Sequence, residues 1–334
     1  MKDEVRVPVE EMKGVLTRVL ENHGFSYDRA ALSARLFVEA SRDGIYSHGL
    51  NRFPRYLATI ENGSIVVANE PVKTGGHAGI EQWDGQLGPG NLNAYACMSR
   101  ALELAAEFGV GAVALRNTNH WMRGGTYGWQ AAEAGCVGIC WTNTNPNLPP
   151  WGAVEAGVGN NPLVIGIPRE KGHIVLDMAM SQFSYGALAT HRKAGKELPV
   201  PGGFDTAGEI TRDPGEIEKT WRPLPIGFWK GSALSIVLDA IAAALSAGNA
   251  THQIPKDPLY ETGLSQFFLA VSPVTQPALR DAVLDGIVNH LHGVEAEENT
   301  RVYYPGQRTL LRREENLALG VPVDRDIWDS ITAM

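Results

Sequence analysis

Residues 109–141 read GVGAVALRNTNHWMRGGTYGWQAAEAGCVGICW, and this stretch carries the clearest strand pattern of the chain. The apolar runs 111–115 and 137–141 predict two strands, and residues 126–134 predict a short helix between them. Similar runs predict further strands at 163–167, 174–178 and 266–271. The middle of the chain therefore forms a sheet.

Helical periodicity flanks this sheet on both sides. Helices are predicted at 8–22, 26–44, 55–62, 91–108, 232–248, 276–292, 310–319 and 326–332. Strands and helices do not alternate strictly, as they would in a doubly wound parallel sheet. We therefore predict an α+β architecture, in which a central, mostly antiparallel sheet domain is inserted between N- and C-terminal helical parts.

The approximate boundaries assign 1–115 together with 235–334 to the helical part and 116–234 to the sheet domain. The long apolar helix 232–248 is predicted to be buried. Residues 193–227 contain five prolines and several glycines, which predicts a long surface excursion.

Composition excludes several function classes. The chain has 334 residues, and 29 Lys+Arg against 37 Asp+Glu give a net charge of −8, which repels nucleic acid and anionic membranes. Three cysteines are too few for a disulfide framework, so a reducing compartment, the cytoplasm, is predicted. Cys136 and Cys140 have no second Cys/His pair nearby, so no metal site is predicted.

A near match to the dinucleotide fingerprint occurs at 109–114, GVGAVA. It follows a helix and opens a strand, whereas phosphate binding requires a glycine turn that opens a helix. We interpret it as a helix C-cap.

The segment 47–56, SHGLNRFPRY, combines an imidazole with two guanidinium groups. If its first turn is helical, His48 and Arg52 share a face at i,i+4 spacing. Such a pair suits a 2-oxo acid, because arginine binds a carboxylate bidentately while an imidazolium protonates the adjacent carbonyl oxygen. The alternative is the solvated start of a surface helix.

Three further polar groups are candidates for function. His120 lies in 117–125, NTNHWMRGG, between a predicted strand and helix, where either a ligand site or a tight turn fits. Lys230 opens the apolar helix and either faces an anion such as pyrophosphate or reaches solvent. Asp177 ends an apolar strand and either orients a histidine or makes a structural hydrogen bond.

Long phrases spread over the chain carry a family resemblance. They are SHGLNRFPRY, EQWDGQLGPGNL, ALRNTNHWMRGGTYGWQAAE, GICWTN, PPWG, MSQFSYG, LPVPGGFD and GFWKGSALSIVLD. Together they resemble the type-2 malate/L-lactate dehydrogenase family of non-Rossmann, nicotinamide-dependent oxidoreductases. The resemblance implies that family's fold and NAD(P)H-dependent reduction of a 2-oxo acid, here a 2-oxo sugar acid, with hydride going to C2.

The resemblance also implies roles for individual residues. His48 corresponds to the proton donor, Arg52 to the carboxylate-binding arginine, His120 to the second active-site histidine and Asp177 to a supporting hydrogen-bonding group. The implied cofactor contacts are His173, Ile174, Val175, Leu176, Asp177, Met178, Ala179, Trp229, Lys230, Gly306, Gln307 and Arg308.

A homodimer and NADH are implied as well, with the helical part forming the substrate and dimerisation region and the sheet domain binding the cofactor. One departure concerns the cofactor: relatives often have His or Glu where this chain has Gln307 and Arg308. Because an arginine can bind a 2′-phosphate, NADPH is the alternative to NADH.

Three other functions stay open at this point. The same chemistry could act on another 2-oxo acid, of the malate, lactate or ureidoglycolate type. A hydrolase or lyase could use His48 and Asp177 without a nucleotide, and a non-catalytic protein could simply bind a sugar acid.

Overall fold

The N-terminal helices form a layer whose core is built from apolar residues at helical spacing. In a computed structural model, which describes residues 4–298 and 300–334, these helices are α1 (Val9–Asn22), α2 (Tyr27–Arg42) and α3 (Phe53–Glu61). Fully buried Met12, Leu16 and Leu20 pack there against residues near the C-terminus. Strand β1 (Glu4–Val7) pairs antiparallel with β11 (Val321–Asp324), and α11 (Arg325–Thr332) follows, so both ends of the described chain share one core.

A seven-stranded sheet forms the middle of the molecule, in the order β2-β3-β4-β10-β5-β6-β7. Its strands are β2 (Val72–His77), β3 (Ile80–Asp84), β4 (Val110–Asn119), β5 (Val137–Thr142), β6 (Leu163–Ile167), β7 (Ile174–Met178) and β10 (Thr262–Val271). Among these strands only β3 and β4 pair in parallel. The predicted α+β class with a mostly antiparallel sheet is confirmed.

Helices cover both faces of this sheet. One core contains Met98 of α4 (Gly90–Phe108), Tyr127 of α5 (Gly125–Glu133) and the sheet residue Phe268. A second core contains Leu238 of α8 (Trp229–Ser246) together with Trp141 and Phe267. Gly109 ends α4 with a φ of 81°, which confirms that the near-fingerprint at 109–114 is a helix C-cap.

The predicted domain boundaries at 115/116 and 234/235 stay a prediction. Strands from both sides of these boundaries contribute to the sheet, since β2, β3 and β10 lie outside 116–234. β10 pairs with β4 on one side and with β5 on the other. The cofactor and substrate regions suggested by the resemblance therefore share one continuous sheet.

Residues 193–227 were predicted to form a long surface loop, and this prediction is wrong because the segment contains regular secondary structure. The segment follows α6 (Tyr185–Lys193) and contains the hairpin of β8 (Gly203–Phe204) and β9 (Ile210–Thr211), followed by α7 (Pro214–Thr220). It folds because Leu188, Leu198 and Ile217 form a small core of their own. Asp213 caps α7 by accepting a hydrogen bond from the Gly215 N–H at 2.7 Å.

Helix α8 is buried on one face only, which corrects the predicted burial of the whole helix. By length and composition alone α8 could cross a membrane, and 33% of it is buried. Its exposed face carries Val237 and Ile241, and the exposed face of α9 (Pro277–Gly293) carries Val283 and Ile287. The last helix before β11 is α10 (Gln307–Leu319).

Candidate active site

His48 and Arg52 lie in two separate turns, which corrects the single helical turn that the sequence suggested. Tyr46–His48 and Leu50–Arg52 are short 3₁₀ turns, and Gly49 between them has a non-helical backbone. The chain passes so close to α2 here that a Cβ on Gly49 would lie 2.1 Å from Ser41 Oγ. The packing of Gly49 on α2, rather than i,i+4 spacing, therefore sets the position of the two side chains.

The two candidate histidines come together from distant parts of the chain. The rings of His48 and His120 stack, with centroids 6.0 Å apart and planes 21° apart. His120 Nδ1 accepts a hydrogen bond from the Met122 backbone N–H at 3.0 Å, so the neutral ring carries its proton on Nε2. His48 Nδ1 lies 2.9 Å from the Ser47 hydroxyl, which can serve either charge state of the ring.

This difference separates the roles of the two rings. Protonating His120 on Nδ1 would replace its backbone hydrogen bond with two opposed N–H groups. His48 meets no such obstacle, because a hydroxyl can donate or accept. His48 is therefore the ring suited to carry and release a proton, and His120 is suited to donate a hydrogen bond from Nε2.

A pocket opens beside this pair. Its lining includes Arg52, Arg55, Thr59, Asn119, His120, Met122 and Glu261. Among the residues that the structure describes, no group accepts a hydrogen bond from the buried Nε of Arg52. Arg55 instead donates to the Pro258 carbonyl oxygen at 2.5 Å. Arg52 Nε, unpaired within the described part of the chain, is thus available to a ligand in the pocket.

Positive charge and burial shift the pKa values of the site. Burial and the neighbouring Arg55 lower the pKa of Arg52 to about 10. Burial, Arg52 and Arg123 lower the pKa of His48 to about 4, and burial with Arg52 lowers that of His120 well below its ordinary value. Both rings are therefore neutral near pH 7 in the unliganded protein, and an anion that offsets the arginines favours protonation of His48.

Asp177 lies close to this region at the end of β7. Its Oδ2 accepts the Gly125 backbone N–H at 2.7 Å, at the start of α5. The carboxylate keeps contact with solvent although protein surrounds it, and this burial raises its pKa against the opposing effect of Arg123. No histidine of the described chain hydrogen-bonds to Asp177, so the structural hydrogen bond weighed from the sequence is the one present.

The structure brings together the two main segments that the resemblance implies for cofactor binding. The Val175 N–H on β7 donates to the Pro305 carbonyl oxygen at 3.0 Å, so the turn before α10 lies along this strand. Gly306 has a φ of 93°, and a Cβ there would lie 3.0 Å from Val175 N. Gln307 Oε1 accepts the Tyr304 N–H, and the Arg308 guanidinium lies 4.6 Å from the Tyr303 ring.

The third cofactor segment continues from the same strand. Beyond β7, the Ile226 N–H donates to the Met180 carbonyl oxygen at 2.7 Å, and α8 then begins at Trp229. Phe228, just before it, has an unusual φ of 59°. Trp229 and Lys230 are both exposed at this helix start. The Gly306 turn therefore lies along β7, and α8 begins three residues after Ile226, which is hydrogen-bonded just beyond this strand.

Three charged residues near the site were not assigned a role from the sequence. Arg55 was quoted within 47–56 and Arg123 within 117–125, and only proximity in space distinguishes them. Glu261 lies just before β10 outside every motif, and it accepts the Asn145 N–H at 3.1 Å. Burial raises the pKa of Glu261. Nothing in the local sequence signals that Glu261 reaches the pocket.

Comparison with known proteins identifies the family. The family model described as malate/L-lactate dehydrogenase matches residues 7–332. The chain belongs to the malate/L-lactate dehydrogenase family. Curated relatives from Salmonella typhimurium and Salmonella paratyphi A, each named 2,3-diketo-L-gulonate reductase, are 46% identical over 333 residues, which cover 99% of this chain and 100% of each relative.

Solved structures of dehydrogenases and reductases share the fold. A malate dehydrogenase from Entamoeba histolytica superposes with a TM-score of 0.93 at 23% identity, covering 99% of this chain and 97% of its own. A reductase of Δ1-piperideine-2-carboxylate from Pseudomonas syringae gives 0.88 at 28% identity, covering 98% and 99%. The family and fold implied by the sequence resemblance are confirmed, and the chain is an oxidoreductase of this dehydrogenase family.

Dehydrogenases of this family imply a nicotinamide cofactor, and the residues present fit one. The α8 start combines an aromatic surface on Phe228 and Trp229 with the exposed, cationic side chain of Lys230, which suits a planar ring system and an anionic pyrophosphate. The close packing of Gly306 on β7 leaves the main chain of both segments side by side. Among the described residues no cluster of three or more His, Cys, Asp or Glu side chains could hold a metal ion.

Proposed function

We propose that this dehydrogenase reduces a 2-oxo sugar acid at C2, and that its substrate is 2,3-diketo-L-gulonate, giving 3-dehydro-L-gulonate. The observation that carries the proposal is the Arg52 guanidinium, whose buried Nε has no hydrogen-bond partner among the described residues and which lines a pocket with His120, adjacent to His48. The names of the 46% identical relatives support the choice of substrate. A dehydrogenase is also favoured over the hydrolase, lyase and binding-protein alternatives.

Arg52 binds the substrate carboxylate. Burial beside Arg55 makes its positive charge unfavourable without a partner, so an anion relieves that cost and is held by charge-assisted hydrogen bonds. The fixed planar group also sets the orientation of the adjacent carbonyl. Carboxylate binding thus positions C2 as well as supplying affinity.

His48 protonates the carbonyl oxygen as charge develops on it. The bound carboxylate offsets Arg52, which raises the pKa of His48 from about 4 in the unliganded protein and lets the ring take up a proton. His120 donates a hydrogen bond from Nε2 to an oxygen of the substrate. When bound, the reduced nicotinamide supplies the hydride that reaches C2.

The rest of the pocket suits a polyhydroxylated chain. Thr59, Asn119 and Glu261 line it, and Asn119 Oδ1 is buried without a hydrogen-bond partner among the described residues. Sugar hydroxyl groups can donate to this amide oxygen and to the Glu261 carboxylate. A short acid without hydroxyls would leave these groups unsatisfied, which costs binding free energy.

We propose NADH as the preferred cofactor. The exposed Arg308 guanidinium lies against the Tyr303 ring, and this contact competes with binding of a 2′-phosphate. Measuring kcat/KM with each cofactor tests this preference, and the value for NADH is expected to exceed the value for NADPH. Because Arg308 is held on the Tyr303 ring in this proposal, an Arg308→Ala variant should leave the NADH/NADPH ratio of kcat/KM unchanged.

We also propose that the protein is a cytoplasmic homodimer. Its three cysteines, Cys97, Cys136 and Cys140, are free and buried, in keeping with a reducing compartment. The dimer proposal is supported by the exposed apolar residues on α8 and on α9, because exposed apolar surface on one helix face is typical of subunit interfaces.

Steady-state oxidation of NADH across a panel of 2-oxo acids tests the substrate. The panel contains 2,3-diketo-L-gulonate, oxaloacetate, pyruvate and oxalurate, the last being the 2-oxo counterpart of ureidoglycolate. The highest kcat/KM is expected for diketogulonate. A higher value for a short acid would contradict the sugar-acid assignment, and no oxidation of NADH or NADPH with any acid would contradict the reductase function.

A further inference from the structure

A buried carboxylate next to the site is held by three arginines. Asp43 directly follows α2 and is 2% exposed. Arg42 Nε donates to it at 2.9 Å, Arg123 Nη1 at 2.6 Å, and Arg313 donates through Nε and Nη2 at 2.8 and 2.7 Å. Although burial raises the pKa of Asp43, these arginines outweigh that effect and lower it to about 2. The carboxylate is therefore ionised at every pH of interest.

One of these arginines belongs to the active site. Arg123 is 5% exposed, and its Nε has no partner among the described residues. A Cβ on Gly125 would lie 2.8 Å from Asp177 Oδ2 and 3.3 Å from Arg123 Nε, so both groups face the same small space. The charge of Arg123 also acts on His48. The position of this guanidinium therefore matters to both groups.

Another of the arginines belongs to the cofactor side. Arg313 lies on α10, the helix that begins at the Gly306 turn. Its guanidinium lies 4.6 Å from the Trp129 ring, and Trp129 lies 5.7 Å from the ring of His173, just before β7. Asp43 thus joins the loop that carries His120 and Arg123 to the helix that follows the cofactor turn.

We propose that Asp43 is a positioning residue, whose carboxylate holds Arg123 beside His48 and Asp177 and fastens it to α10. The proposal rests on the proposed function, because it assigns Asp43 a part in the same reduction. It differs from a purely structural role, because the charge of Asp43 offsets that of Arg123 at the proton donor. Arg52, Arg123 and the neutral His120 are the groups that act on His48.

Two variants shift the charge in opposite directions. Asp43→Asn removes the anion and leaves Arg123 less compensated, so the pKa of His48 should fall further. Arg313→Met removes a cation from Asp43 and leaves its charge more available to Arg123, so the pKa of His48 should rise. Histidine NMR titration of the unliganded protein measures both shifts without turnover, with the His48 signal assigned by a His48→Asn variant.

Cofactor binding supplies a second readout. Fluorescence titration with NADH should give a Kd several-fold higher for both variants, because both loosen the link to α10. Glu81→Gln is the matched control: Glu81 is 1% exposed and accepts hydrogen bonds from Lys73, Trp83 and Arg100 on β2, β3 and α4. It should lose thermal stability while its NADH affinity and the His48 titration stay at wild-type values.

Several outcomes would overturn the proposal. The proposal is wrong if the pKa of His48 shifts in the same direction in both variants, or if it does not shift at all. It is also wrong if Glu81→Gln changes the pKa of His48 and the Kd for NADH in the same way. If Asp43→Asn does not fold, the rise in Arg313→Met decides alone. Wild-type protein that binds NADH but reduces no 2-oxo acid would contradict the proposed function instead, and the titrations remain interpretable in that case.

Discussion

At the scale of single residues, the site depends on two side chains whose charges are coupled. Arg52 is a cation whose buried Nε has no hydrogen-bond partner among the described residues, and His48 is a ring whose pKa is lowered by burial and by nearby positive charge. An anionic substrate changes both at once. Substrate binding should therefore be accompanied by proton uptake.

Replacing His48 by Asn should lower kcat by roughly two to four orders of magnitude, because a general acid contributes about that much. NADH affinity should stay unchanged. Stopped-flow reduction and a fluorescence titration measure the two effects. Near-normal turnover would assign the proton to another group, and His120→Gln, which keeps a donor at this position, should be the milder substitution.

The pH dependence should differ between kcat/KM and kcat. The former reports the free enzyme, where the pKa of His48 is about 4, so kcat/KM for reduction should fall as pH rises through that region. kcat reports the enzyme–substrate complex, where the substrate carboxylate offsets Arg52 and the pKa of His48 is higher. The fall of kcat should therefore occur at higher pH than that of kcat/KM. Initial rates from pH 4 to pH 9 measure both, and coincident profiles would contradict the coupling.

Arg52→Lys should raise KM for the 2-oxo acid by about tenfold or more, since lysine cannot form the bidentate contact. Arg55→Lys is the matched comparison, because Arg55 already donates to a backbone carbonyl oxygen. It should have the smaller effect. Equal effects from both variants in steady-state kinetics would mean that the carboxylate is shared or lies elsewhere.

At the scale of elements, the start of α5 needs a glycine. A Cβ at Gly125 would meet Asp177 Oδ2 at 2.8 Å, so Gly125→Ala should displace the carboxylate from its backbone hydrogen bond and lower kcat/KM by at least tenfold. Gly14→Ala in α1 is the control, because nothing lies within 4 Å of a Cβ there. It should raise the unfolding free energy by about 1 kcal/mol without changing the kinetics.

Sequence periodicity predicted most elements because their apolar spacing is local information. Strands β6 and β7 agree with the prediction to the residue. The prediction of a loop at 193–227 was wrong because the small core that folds this segment includes Leu188, which lies outside it. The sequence placed His48 near Arg52 by i,i+4 helical spacing, which was the wrong reason. Their positions depend on the packing of Gly49 on α2, a tertiary contact that local sequence does not reveal. Glu261 and Asp43 could not be found, because only folding brings them to the site.

At the scale of the whole molecule, one continuous sheet connects the two halves of the site. Residues from β4, β7, the segment before β10 and the turn before α10 meet along it. The exposed apolar faces of α8 and α9 are where we propose that a second copy of the chain binds. Charge substitutions there should therefore act on assembly.

Val283→Asp and Ile287→Asp on α9 should convert the dimer into monomers, because each places a charge in apolar surface that is buried on association. Light scattering coupled to size-exclusion chromatography measures the mass. Tyr27→Asp is the comparison, as it exposes a similar area on α2 far from these faces in sequence. A monomeric wild-type protein would contradict the dimer proposal.

The roles of Arg52 and His48 can be observed in a crystal structure with NADH and oxamate, an unreactive 2-oxo acid analogue. It should show the oxamate carboxylate on Arg52, its carbonyl oxygen within hydrogen-bonding distance of His48, and the nicotinamide ring beside β7. A carboxylate bound away from Arg52, or a nicotinamide ring too far from the oxamate carbonyl carbon for hydride transfer, would contradict these roles.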